Sequence, residues 1–207
     1  MYVSISARLF LSSDPNSKKV RDMLEKLSEE EKLQARNVCE RILLDNHQFS
    51  DRWIGESGLK LLVVENVMHP GGEELENLSK ALKENTSGKL IGVSILENAY
   101  GTFPEKDEIM VKFTSSIDDM DEVMALFSPF NFLLFSEELS CAILFLKELE
   151  IKFIVGSLDL LQDYDGDVAL QKKYFEEFRR DFLSNLNNSA EYFEFIDKAY
   201  SKMDWIS

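Results

Sequence analysis

Between Phe130 and Gly156 the chain strings together short apolar runs, and a unit built from them needs cover on both faces of a sheet. Phe132, Leu133, Leu134 and Phe135 form a short run that reads as a strand. Ser136 with Glu137 and Glu138 then offers a helix cap and an acidic first turn. Leu139, Ala142, Ile143, Leu146 and Leu149 follow at helical spacing, and Cys141, Leu144 and Phe145 fill much of the remaining circumference. A largely buried helix is the expectation there. Ile151, Phe153, Ile154 and Val155 resume an extended run, closed by Gly156. The segment thus predicts a central strand–helix–strand unit, long enough to cross over between two parallel strands.

Around this unit the pattern predicts an α/β (or α+β) chain, a mixed β-sheet with helices packed on it. A first strand is expected over Tyr2 to Phe10, and a short helix from Asp14 and Pro15 to about Leu27. Ser28 and Glu31 have the spacing of a capping box, ahead of a helix with Ala35, Val38, Cys39, Ile42 and Leu43 on one face. The stretch from Asn46 to Gly58 reads as a loop pinned by Trp53 and Ile54. Strands are expected at Leu59 to Val64, Leu90 to Leu96 and Ile109 to Phe113. Between the first two, a turn over His69 to Gly72 opens a helix with Leu75, Leu78 and Leu82. Ser116 leads a helix whose Met120, Val123, Met124 and Phe127 face inward. The chain ends in two aromatic-rich helices, one with Tyr174, Phe175, Phe178 and Phe182, the other with Tyr192, Ile196, Tyr200 and Met203. With 207 residues and no linker-like tract, a single domain over 1–207 is expected: a mixed core over 1–160 with the helical pair of 161–207 packed on it.

Charge placement narrows the function classes. The chain has 23 basic and 38 acidic residues, a formal net charge of −15. Residues 1 to 100 contribute −3 of that and residues 101 to 207 contribute −12. Such a field repels nucleic acid and anionic membranes and attracts basic proteins. The N-terminus lacks the flank, apolar core and cleavage site of a signal peptide, and charges interrupt every apolar run before membrane-spanning length. A cytoplasmic location is the expectation, with Cys39 and Cys141 as reduced, core-filling thiols.

No constellation points to catalysis. His47 and His69 stand in separate segments without a ligand at metal spacing. The glycine pair Gly71 and Gly72 follows a strand, but Glu73 and Glu74 occupy the first helical turn and oppose a phosphate. Asp163, Asp165 and Asp167 alternate as hard-cation ligands do, yet Val168 and Tyr174 stand where a calcium loop needs its glycine and closing glutamate. A polar turn with Asp167 capping the next helix accounts for them. No cofactor motif is legible.

These features predict an acidic cytoplasmic binding protein that neutralises a basic partner, most concretely a bacterial immunity protein that inhibits a nuclease-type toxin. The partner-binding residues expected are Asp118, Asp119, Asp121 and Glu122 with Asp163, Asp165 and Asp167. Two alternatives use other features: a divalent-metal enzyme or regulatory protein built on the 163–167 turn, and an assembly subunit associating through its C-terminal helices.

Overall fold

The computed structural model describes residues 24–45, 48–65, 72–95, 109–128, 130–147 and 151–165, with shorter pieces at 170, 173–177, 180–181, 194, 197–198 and 201. The first strand expected over 2–10, both histidines and Asp167 lie outside them. Nine strands are described: β1 (Glu25–Lys26), β2 (Leu43–Asp45), β3 (Gln48–Phe49), β4 (Lys60–Glu65), β5 (Lys89–Ile95), β6 (Met110–Thr114), β7 (Asn131–Ser136), β8 (Ala142–Leu146) and β9 (Ile151–Gly156). The helices are α1 (Glu29–Ile42), α2 (Asp51–Ser57), α3 (Gly72–Asn85), α4 (Ile117–Phe127) and α5 (Leu158–Asp165). Seven strands form one sheet in the order β1-β6-β5-β7-β8-β9-β4, every pair antiparallel, and β2 with β3 makes a small second sheet.

The fold is mixed α/β as expected, but its central unit differs. Residues 142–146 are a strand, not a helix, and β7, β8 and β9 run antiparallel. Reversal happens at Glu137 to Ser140. The Ser136 hydroxyl accepts from the amides of Ser140 (3.0 Å) and Cys141 (3.2 Å), and Leu139 takes a left-handed φ of 58°. The polar residues that resembled a helix cap close this turn instead. All residues of β7, β8 and β9 are buried, so both faces of these strands are covered. When every position is apolar, the 3.6-residue and 2-residue periods fit equally well and periodicity decides nothing.

Two local corrections follow the same pattern. Glu25 and Lys26 pair with β6, so the helix expected to reach Leu27 gives way to an edge strand. The loop expected over 46–58 contains α2, capped by the Ser50 side chain on the Trp53 amide; Trp53 and Ile54 are buried in the core as expected.

Caps that depend only on neighbours form as read. Ser28 and Glu31 make the reciprocal capping box of α1, and Ser116 caps α4 through the Asp119 amide. Glu31 also pairs with Lys112 of β6 at 2.5 Å, and that bond holds its carboxyl down to about 2. Ser28→Ala removes the cap and is expected to cost about 1 kcal/mol, lowering Tm by about 2–4 °C in a chain of this size. A thermal melt checks this, and an unchanged Tm would contradict it.

Strand register assigns the helices to the two faces of the sheet. Gly92 of β5, Leu134, Ile143, Ile154 and Leu62 are paired across the sheet and share one face. A Cβ on Gly92 would stand 2.7 Å from Phe127 of α4, and Gly156, two residues on from Ile154 and on the same face, abuts Leu160 of α5. α3 packs against both α4 and α5, so these three helices form one layer. Lys112 belongs to the opposite face and its partner Glu31 brings α1 there, with α2 beside α1. In the C-terminal region 173–177 and 180–181 are helical, with Phe175 buried and Tyr174 exposed.

Candidate functional site

The two helix layers differ sharply in charge. α3, α4 and α5 carry four, four and three carboxylates, with Lys80 and Lys83 as their only basic residues. On the other face, α1 has four carboxylates against three basic residues and α2 has two against one. Amphipathicity accounts for part of this: Leu75, Leu78, Ala81 and Leu82 of α3, Met120, Val123, Met124 and Phe127 of α4, and Leu160 and Leu161 of α5 are buried, which leaves polar positions outward. The excess of one sign is a further property, since a solvated helix face serves as well with mixed charges.

Glu73, Glu76, Glu84, Asp118, Asp121, Asp159 and Asp163 are all exposed on this layer. Among the residues expected from sequence, Asp118 and Asp121 point to solvent. Asp119 is half-buried and accepts from the Thr114 amide (2.8 Å) and hydroxyl (2.5 Å), which holds the entry to α4. Glu122 is half-buried, and its Oε2 is shielded from water with no hydrogen-bond partner among the described residues. Asp163 accepts from the Asn85 side chain at 2.8 Å and so ties α5 to α3.

Asp163 and Asp165 are not in a turn. Both belong to the last turn of α5, where residues two apart leave the axis about 200° from one another. They do not converge on a common cation position, and among the described residues no group of His, Cys, Asp and Glu side chains could hold a metal ion.

Asp165 instead faces Lys152, the one fully buried charged side chain among the described residues. Lys152 of β9 is 1% exposed, enclosed between α3 and α5 on the face shared with Ile154. Its ammonium pairs with Glu74 in the first turn of α3 and lies 5.4 Å from the Tyr164 ring centroid. Tyr164 of α5 donates its hydroxyl to the same Glu74 carboxylate at 2.9 Å. Burial draws the Lys152 ammonium down to about 7 against the opposing pull of Asp165. The Glu74 carboxylate in contact with it acts in the same sense as Asp165 and favours the charged ammonium. Burial also pushes the Tyr164 phenol above its ordinary range, so it serves as a donor. Glu74 itself keeps a side-chain exposure of 28%, on the rim of the acidic layer.

The thiols take no part in this site. Cys39 and Cys141 are buried outside any disulfide, and burial pushes Cys141 up to about 12, which disfavours a thiolate. Among the described residues no helix is long and apolar enough to cross a membrane.

Sequence reasoning did not see the α3 carboxylates as part of the acidic surface, because α3 lies before residue 100 and only packing brings it between α4 and α5. Lys152 carried a legible signal: it is the sole charge in the run Ile151 to Val155. No protein-family model, curated protein or solved structure matches this chain.

Proposed function

We propose that the α3–α4–α5 layer is a docking face for a basic protein, and that the chain neutralises that partner by covering its cationic surface. The charge asymmetry between the two helix layers supports this: eleven carboxylates and two lysines on one face, near balance on the other. Carboxylates on rigid helices approach an arginine or lysine surface without first being ordered, and their summed field raises the rate of encounter. In its most concrete form the protein is a bacterial immunity protein, with a nuclease-type toxin as the partner. A nuclease surface that binds phosphates presents the cations such a face complements.

Glu76, Asp118, Asp121 and Asp159 are exposed and make no hydrogen bond or ion pair among the described residues, so charge reversal there changes the field while the core is left intact. The test compares wild type with a variant carrying lysine at all four positions. Each is used to capture proteins from the native cells at low and high salt, with circular dichroism confirming the fold. Wild type should retain one basic protein, released at high salt, and the variant should bind it more than about tenfold more weakly. If the captured protein proves to be a nuclease, wild type should inhibit it and the variant should not. Equal retention by both would refute the acidic face as the docking surface.

A further inference from the structure

The seam between α3, α5 and the sheet is mostly aliphatic: the Asn85–Asp163 bond lies at its rim and Ser79 of α3 donates to the Ser115 carbonyl, while one cluster brings a charge inside. Leu75, Leu78, Ala81 and Leu82 of α3, with Leu160 and Leu161 of α5, sit over a face that includes Leu62, Ile143 and Ile154. Contacts of this kind are non-directional, and a seam of similar volume can be packed in more than one way. A buried ammonium is selective. Lys152 is flanked across the sheet by Val64 and Phe145, whose side chains cannot accept a hydrogen bond, so among the described residues its charge is met from the helices. Those groups are Glu74 from α3 and Asp165 from α5, with the Tyr164 ring and hydroxyl beside them. Sliding α3 by one turn, about 5.4 Å, carries Glu74 out of reach of both Lys152 and Tyr164. Rotating α5 removes Tyr164 from Glu74 and Asp165 from Lys152 together.

We propose that Lys152, Glu74 and Tyr164 form a polar pin that gives α3 and α5 a single seating on the sheet, at a cost in stability relative to an apolar seam. Replacing buried ion pairs by apolar groups of like volume is often neutral or stabilising, and what the polar version adds here is selection among packings. Fixed seating also fixes the spacing of carboxylates on the outer surface of the layer. That consequence for docking rests on the function proposed above, whereas the pin is a property of the chain alone.

Hydrogen–deuterium exchange on the full chain, read with thermal unfolding, tests the pin without any partner. The variant Lys152→Met/Glu74→Leu/Tyr164→Phe fills the same space with apolar groups. Amides of α3 and α5 should exchange more than about tenfold faster in it, while Tm holds or rises. Unchanged exchange in both helices would overturn the proposal. So would failure to fold or a large fall in Tm, since the cluster would then supply stability in place of selection. Lys152→Met alone leaves Glu74 able to turn to water; it should loosen α3 and α5 and leave exchange in β5 and β7 unaltered. Loosening spread evenly across the sheet would equally count against the pin.

Discussion

Glu74→Ala is expected to destabilise the protein by about 3–5 kcal/mol near pH 7, the usual cost of stripping a buried charge of its partner. That loss should be larger at about pH 5 than at about pH 9. With Glu74 in place, burial draws the Lys152 ammonium down to about 7. In the unfolded chain the same lysine titrates near 10.4. Between those values the unfolded state binds more protons than the folded one, so wild-type stability rises with pH by about 1.4 kcal/mol per unit there and is flat below that window. Removing the carboxylate that favours the charged ammonium moves it further down, so in Glu74→Ala the rise should already begin below pH 7. Urea denaturation of both proteins at unit pH steps gives the two curves. Curves that stay parallel from about pH 5 to about pH 10 would show that Glu74 is not what holds the Lys152 charge. Adding Lys152→Met to Glu74→Ala should recover most of the lost stability, because no unpaired charge then remains inside.

The features legible in the sequence are those decided by a few neighbouring residues. The Ser28–Glu31 box and the Ser116 cap form as their spacing indicates, because a side chain two or three positions away is always within reach of the amide it caps. The inward stripe of α4 follows from one-sided burial, which leaves a clear contrast between Asp118 or Asp121 and Met120 or Val123. That contrast is missing from β7 to β9. Cover on both faces erases the alternation that marks a strand, and the sequence of β8 alone suits a buried helix as well. The available clue is the polar group Ser136, Glu137, Glu138 and Ser140, four of five positions, which suits a chain reversal as well as a helix entry. The acidic layer was legible only by halves. Its α4 and α5 carboxylates stand in one part of the chain, but those of α3 join them through tertiary packing, and the aspartate triplet reads as a turn although Asp163 and Asp165 belong to helix α5.

Phe127 is the largest of the four buried side chains that seat the acidic helix α4, and its loss has the other large expected effect. Phe127 is fully buried, stacked on Phe132 at 5.3 Å, which is itself stacked on Phe145 at 4.2 Å. Phe127→Ala leaves a void between α4 and the sheet and should cost about 3–5 kcal/mol. The same ring explains why residue 92 is glycine in the middle of a strand, where glycine is otherwise unfavourable. An added Cβ would lie 2.7 Å from Phe127 Cε2 and 3.3 Å from Leu134 Cδ2. Gly92→Ala in the wild-type background should therefore cost about 1–3 kcal/mol through overpacking. In the Phe127→Ala background the ring is gone and the new methyl enters the void it left. Gly92→Ala should then be neutral or stabilising by up to about 1 kcal/mol. A double-mutant cycle measured by chemical denaturation reads the difference as a coupling of about 1–4 kcal/mol. Additivity of the two changes would mean that Phe127 does not occupy the space over Gly92, and that α4, with Asp118 and Asp121 on its outer face, is seated on the sheet by other contacts.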